Sequence, residues 1–522
     1  MLVHHFLENS AKRLPDKVAL ICGNQKLTYG EVNHLAERVA SALMDAKINR
    51  QDRIVIFLDN SVEAIVALFG ILKAGCIFVM LNATMKDKKL NYTLKDSGAR
   101  AIITHKNKSR IVNKAIKGTT ELEHIIWCGG NSESGDIQVD VDDTSIKTSV
   151  SWAQFTGRTA NPAPKAEYPR TIDVDIATII YTSGSTGEPK GIISTHYNVV
   201  AAATSITTYL ENVEDDIIIN VLPLSFDYGL YQVLMAFLFG GTVVLEKSFV
   251  YPYKIIEKLV KERVTGFPIV PTMAAILFQM ENISDFDFSS LRYITNTAAA
   301  LPVTFIRKLQ RIFPDAKIFS MYGLTECKRV SYLPPEYIDT KPESVGVPIP
   351  NSEVFVVDGN GKELGPGETG ELVIRGSNVM QGYWNSPEET ARTFRTGRYG
   401  KEVILYSGDL FKKDEDGFLY FVSRKDDMIK TKGERVSPKE IENVLYEMDG
   451  VSEAAVIGVP DDIFGSAIKL FVVPKKNDGL TERQVMAFCK ENLEPFMVPK
   501  YIEIRNALPK SNSGKIDKKK LN

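Results

Sequence analysis

The sequence has little of what builds stapled or metal-centred proteins. It carries five cysteines in 522 residues, Cys22, Cys76, Cys128, Cys327 and Cys489, and no pair reads as CxxC. An odd, dispersed set argues against zinc modules and disulfide frameworks. The six histidines include the neighbours His4 and His5 but no HxxxH spacing, so no transition-metal site is expected. Excess charge of one sign is also missing: 63 Lys+Arg against 65 Asp+Glu leaves −2. That excludes a generic basic nucleic-acid binder and a polybasic membrane-surface protein. The opening MLVHHFLENSAKRLPDK lacks the apolar run of a secretory signal. The most apolar stretch, 62–81, is interrupted by Glu63, Gly70, Lys73 and Gly75. It reads as a buried helix followed by a strand, not a membrane span. No internal repeat or coiled coil is visible. The expectation is a soluble cytoplasmic protein with neither nucleic acid nor membrane as partner.

What is present is ordinary globular material, 44% hydrophobic and 25% charged, enough for a sizeable core. At roughly 150 residues per domain the length allows two to four units. Residues 27–46 have helical apolar spacing, 53–59 (RIVIFLD) is a strand, a further helix falls near 87–96, and 99–105 (ARAIITH) is another strand. Alternation of this kind predicts a parallel, doubly wound sheet. The stretch 129–170 is loop chemistry, rich in Gly, Ser and Pro. A second alternating block covers about 171–330. Short strands divided by DGNG and GPGETG turns follow over about 345–425, and a compact α/β block lies beyond 425.

The segment IATIIYTSGSTGEPKGI (176–192) is the most informative. A buried strand runs straight into a loop of Gly, Ser and Thr. Small residues let backbone N–H groups approach an anion. The hydroxyls of Thr182, Ser183, Ser185 and Thr186 add donors around Gly184 and Gly187, and Lys190 adds positive charge. The motif is not Walker A, because Lys190 precedes Gly191 where that loop needs Ser or Thr. The residues read as a phosphate cradle, with a flexible surface loop as the alternative.

YTSGSTGEPKG resembles the signature loop of the adenylate-forming enzymes, which comprise acyl-CoA synthetases, nonribosomal peptide adenylation domains and luciferases. The likeness spans the chain through further motifs in order: MYGLTE (321–326), GELVIRGSNVMQGYW (370–384), YSGDL (406–410), SRKDDMIKTKGERVSPKEIE (423–442) and LPKSNSGKID (508–517). The resemblance implies an α/β fold. A large N-terminal domain of doubly wound sheets plus a β-rich subdomain (1–425) would precede a small, mobile α/β C-terminal domain (426–522). It implies ATP and Mg²⁺ as cofactors, and Lys515 as the catalytic lysine that offsets repulsion between a carboxylate and the α-phosphate. Spacing alone does not single out Lys515 from Lys510 and Lys518 to Lys520. Thr325 would touch the α-phosphate, and Glu326 would hold Mg²⁺. Tyr322 would stack on adenine, or simply pack in the core. Asp409 would accept from the ribose hydroxyls, Arg424 would contact ribose or phosphate, and Phe421 would pack beside the nucleotide. Ser423 stands where the family usually has Gly. Asp426 would be the hinge about which the small domain turns, presenting Lys515 for one half-reaction and the Lys432-Gly433-Glu434 face for the other.

For the acid, Phe226-Asp227 matches relatives in which Asp pairs with a substrate ammonium. The alternative is that Asp227 caps the following helix. Tyr228 and Tyr231 would narrow the pocket, with Ile294, Asn296, Met321, Arg329 and Val330 as further walls. TNTAAALP (295–302) departs from the usual Gly-rich version. The expectation is a small amino acid, with proline favoured and Arg329 as a feature that would instead suit an acidic side chain. Lys515 is followed by seven residues, so the thiol acceptor is expected to be a separate carrier protein or coenzyme A. The alternative is a fatty or aryl acyl-CoA synthetase.

Overall fold

A computed structural model describes residues 1–129, 146–157, 168–183, 189–397, 399–400, 402–425, 427–431, 434–461, 465–475, 479–494, 496–511 and 514–521. Two large sheets share one core. The first runs, edge to edge, through Val347–Pro348, Ser331–Tyr332, Lys317–Tyr322, Tyr293–Asn296, Gly266–Ile269, Ile217–Asn220, Thr242–Leu245, Val18–Cys22 and Gln25–Thr28. The second runs through Gly382–Tyr383, Pro189–Thr195, Ile176–Ser183, Ile77–Met80, Arg53–Phe57, Ala99–His105, His124–Cys128 and Thr148–Ser151. The middle strands of both are parallel, as the alternating pattern predicts.

The period-2 geometry of a strand explains how one short run serves two layers. In Arg53–Phe57, Ile54 and Ile56 join the shared core, while Val55 and Phe57 join a second cluster on the other face with Leu90 and Leu94. Helices Val62–Lys73 and Asp227–Phe239 are buried almost all round, which suits helices enclosed by other layers. They meet at Phe69 and Phe237, whose rings stack at 5.1 Å. Each such buried ring contributes roughly 1.5–3 kcal/mol through apolar burial. The helix Tyr29–Asp45 begins at a capping box formed by Thr28 and Glu31, which sets its start two residues into the predicted span.

The stretch read as loop from 129 to 170 contains more structure than its composition suggests. Thr148–Ser151 adds an edge strand beside His124–Cys128, and Trp152–Gly157 is a short helix. Edge pairing supplied from outside the segment overrode its weak local signal. Residues 130–145 and 158–167 lie outside the described residues.

A five-stranded antiparallel sheet follows, from Ser352–Val357, Gly370–Gly376, Phe394–Thr396, Val403–Lys413 and Leu419–Arg424. The smaller C-terminal domain packs helices Pro438–Glu447 and Glu482–Asn492 on the sheet Val451–Asp461, Gly465–Pro474 and Tyr501–Ile504. It touches the large domain through Phe305 and Tyr446, whose rings meet edge-on at 5.4 Å, and through a 3.2 Å hydrogen bond from Gln279 to Ser452. Among the described residues no helix is long and apolar enough to cross a membrane.

Candidate active site

The candidate site lies beyond the carboxyl ends of the parallel strands, where open α/β sheets bind ligands. The strand Lys317–Tyr322 ends in a tight loop whose Lys328 N–H bonds the Leu324 carbonyl at 2.7 Å. Lys328 itself takes a left-handed backbone, φ +66°, and its carbonyl presses on Gly323, where no Cβ would fit. Asn378 pins the loop from outside, donating to the carbonyls of Cys327 (2.9 Å) and Arg329 (2.8 Å). Thr325 and Glu326 are thereby held at the mouth, half-buried.

Tyr322 donates its hydroxyl to Asp409. Its ring lies edge-on to Phe411 at 4.8 Å and tilted against Phe421 at 6.3 Å. Asp409 pairs in register with Arg424 across two antiparallel strands. The Arg424 Nε stands 3.2 Å from Oδ1 but without a hydrogen-bonding angle, so that oxygen keeps an open acceptor position. Burial raises the Asp409 pKa, and Arg424 pulls it back. A carboxylate held this way suits two vicinal hydroxyls. Ser423, the departure from the family pattern, is buried and turns its hydroxyl onto the Arg424 carbonyl at 3.1 Å.

The strands that flank the glycine-rich segment pair with each other. Thr182 faces Lys190 and Ser183 faces Pro189 across the antiparallel pair Ile176–Ser183 and Pro189–Thr195. Gly184, Ser185, Thr186 and Gly187 lie outside the described residues, as do Asp426, Lys432 and Gly433. Lys190 is not a bare cation here. Its Nζ is 2.8 Å from Glu389 Oε1 and 5.8 Å from the centre of the Tyr383 ring. Its hydrogen bond holds the Glu389 pKa below the ordinary value. Tyr383, which sequence reasoning missed, also donates to Glu326 Oε1 at 2.8 Å. It thus links that strand pair to the loop that carries Glu326. Its only signal was its place in the matched GYW run.

Lys515 enters from the small domain. Its loop is closed by Ser511 N–H to the Lys515 carbonyl (2.7 Å) and Lys515 N–H to the Ser511 hydroxyl (3.2 Å). At Gly514, φ +79°, a Cβ would stand 3.3 Å from Val270 and Thr272 of the large domain. Lys515 is exposed, yet the surrounding protein partly desolvates its ammonium. That desolvation lowers its pKa, while Asp227, Asp409 and Glu326 act the other way. Residues far apart in sequence therefore meet here: Asp227, Glu326, Asp409, Arg424 and Lys515. A single carboxylate, Glu326, with only one oxygen engaged among the described residues, fits a magnesium ion that takes its other ligands from phosphate and water. No group of three or more His, Cys, Asp or Glu side chains suited to a metal occurs among the described residues.

The acid side is more polar than expected. Asp227 opens the helix Asp227–Phe239, and its Oδ1 accepts from the Tyr228 N–H at 2.9 Å. Phe226 holds the N-cap position and makes no side-chain hydrogen bond there, so the capping alternative is not formed; Asp227 is an acidic residue of the first turn, favoured by the helix dipole. Tyr228 is buried with its hydroxyl on Thr295, and Tyr231 is buried with a hydroxyl that has no partner among the described residues. Ile294 and Met321 lie in the same core cluster as both tyrosines. Asn296 donates to Ala299 at 3.0 Å. Arg329 covers the Tyr228 ring at 5.4 Å, and Lys328, also missed, covers the Tyr231 ring at 5.7 Å. Val330 is placed apart from these walls. It packs with Ile192, Val356 and Leu372 under the antiparallel sheet.

Residues 7–384 match the family model of the AMP-binding enzyme, and residues 440–515 match that of the AMP-binding enzyme C-terminal domain. A long-chain-fatty-acid–CoA ligase of Bacillus subtilis (strain 168) is 31% identical, across 99% of this chain and 93% of its own. Among solved structures, the anthranilate CoA ligase AuaEII in complex with anthranoyl-AMP has a TM-score of 0.88 at 27% identity, covering 100% of this chain and 96% of that one. ATP-bound MatB from Rhodopseudomonas palustris has a TM-score of 0.87 at 27% identity, covering 100% and 98%. These relatives correct one expectation. The amino-acid substrate, proline in particular, and the carrier-protein acceptor find no support among them. At the Phe226-Asp227 pattern the structure places a carboxylate in the first turn of a helix. The chain belongs to the AMP-binding enzyme family and is an ATP-dependent, AMP-forming ligase.

Proposed function

We propose that this ligase is an acyl-CoA synthetase. In the first half-reaction a carboxylate oxygen attacks the α-phosphorus of ATP, an acyl–phosphate bond forms, and pyrophosphate leaves. In the second, the thiol of coenzyme A loses its proton and attacks the acyl carbon. A thioester forms, the acyl–phosphate bond breaks, and AMP departs.

The convergence of Lys515 with Asp409, Arg424 and Glu326 carries this reading. Bringing a carboxylate to a phosphate sets two anions together. An ammonium in a desolvated cleft offsets that repulsion most where charge develops. Asp409 takes the ribose hydroxyls, with Tyr322 holding its other oxygen and Phe421 beside the base. Thr325 meets the α-phosphate, and the segment from Thr182 to Lys190 takes the remaining phosphates. Glu326 would hold Mg²⁺, which neutralises charge on the leaving pyrophosphate. The second half-reaction requires the small domain, 426–522, to turn about Asp426 and withdraw Lys515.

The test is acid-dependent ATP–pyrophosphate exchange without thiol over fatty, aryl and dicarboxylic acids, then thioester formation with coenzyme A. Exchange with at least one acid, lost in Lys515→Ala, and a thioester on adding coenzyme A are expected. Exchange that never proceeds to a coenzyme A thioester would overturn the choice of acceptor.

A further inference from the structure

The acid-binding side of the site contains a buried guanidinium with no anion. Arg329 is 4% exposed, and among the described residues no carboxylate lies within ion-pair distance of it. Its Nε has no hydrogen-bond partner there either. Arg329 covers Tyr228 at 5.4 Å and reaches toward the hydroxyl of Tyr209, whose pKa burial pushes up to about 12 while Arg329 pulls it down. The hydroxyl of Tyr231, also buried and unpartnered, feels both Arg329 and Asp227. Asp227 is in turn the first of the charges that act on Lys515. Arg329 thus lies over Tyr228, whose N–H bonds Asp227, the carboxylate whose charge acts most on Lys515.

A buried charge left without a counter-ion is unfavourable, and side chains that keep one in a cleft commonly do so for a ligand. An aliphatic acid would lay methylenes against Arg329, Lys328 and the Tyr231 hydroxyl, leaving all three desolvated. Asp227 does not serve as the missing anion. Its Oδ1 is engaged by the Tyr228 N–H, and its charge faces Lys328 and Lys515. Counting those side chains with Arg329, Arg424, Glu326 and Asp409, cations outnumber carboxylates in the cleft by four to three.

We propose that the acid activated by this chain is a short dicarboxylate. One carboxylate reacts beside Lys515, and the other is received by the Arg329 guanidinium and the Tyr231 hydroxyl, with Lys328 raising the local potential. This assignment rests on the ligase reading above and names its substrate class.

The test is ATP–pyrophosphate exchange on the full chain with straight-chain dicarboxylates and the alkanoates of matching length. Wild type is expected to prefer a dicarboxylate. In Arg329→Met the ratio of kcat/KM values for dicarboxylate over alkanoate should fall about a hundredfold, the size expected for losing one buried, hydrogen-bonded charge pair. Arg329→Lys should restore part of it. Stabilisation of each variant by ATP against heat shows that the fold and nucleotide site persist. A wild-type preference for alkanoates, or an unchanged ratio in a folded Arg329→Met, would overturn the proposal and leave the ligase reading standing. No exchange with any acid would overturn both.

Discussion

Lys73 ends the helix between the two large sheets and has a side chain only 1% exposed, yet its ammonium lies 2.8 Å from Glu8 and 3.8 Å from Glu37. Arg329 is as deeply buried at the cleft, and its guanidinium lies over the Tyr228 ring. The core completes its charge from its own chain; the site leaves one open. In the core a buried cation tolerates its desolvation because a carboxylate shares it. In the cleft the same cost is kept as binding capacity for a molecule that comes and goes. Both places hold a buried cation, so the partner separates a structural charge from a functional one.

The comparison breaks most visibly at Lys515. Lys515→Ala should lower the rate of adenylate formation by about 10²–10³-fold, the range for removing one preorganised charge at a developing anion. ATP binding and thermal stability should change little. Stopped-flow or exchange kinetics beside calorimetric ATP titration would show the split.

In the core the expected loss is in stability instead. Glu8→Leu leaves Lys73 buried against the more distant Glu37, and should cost about 3 kcal/mol in chemical denaturation. Arg329→Met removes a charge that has no partner to strand, so it should cost far less or stabilise the fold. Equal losses in the two variants would erase the distinction between the sites.

Tyr383→Phe is a smaller probe. It removes one hydrogen bond to Glu326, about 1 kcal/mol for a bond of this kind. A several-fold rise in the Mg²⁺ concentration needed for half-maximal exchange is expected, with no change in acid preference.

The smallest effect is a pH dependence at the domain boundary. Lys439 of the small domain covers Phe421 at 4.9 Å, and burial brings its pKa down to about 8, with Glu442 and Glu343 acting the other way. A lysine depressed in the folded state binds fewer protons there than when unfolded. Its burial therefore penalises the fold fully below pH 8, and stability rises with pH from about 8 toward the unfolded value near 10.4. Lys439→Met should remove its share of that rise, which the depressed Lys515 also feeds, in urea melts taken across the interval.

The strands at 53–59 and 99–105 and the helix within 27–46 were legible because a local period reports which face is buried. The strand and helix at 148–157 were not, since their stability comes from the neighbouring edge at His124–Cys128. At the site, motif residues such as Lys515, Asp409 and Glu326 could be named through the family likeness. Lys328 and Tyr383 could not, because a lysine that is usually solvated and a tyrosine that usually packs carry no mark of their partners.

The order of motifs along the chain thus determined the family, the nucleotide chemistry and the α/β class, since these depend on residue type and local spacing. Only the tertiary structure decided how charge is shared. It gave Lys190 to Glu389, turned Val330 away from Tyr228, seated Asp227 at a helix start and left Arg329 without a carboxylate. The physical reason is that electrostatic energy depends on distance and desolvation, and both are set by chain segments hundreds of residues apart.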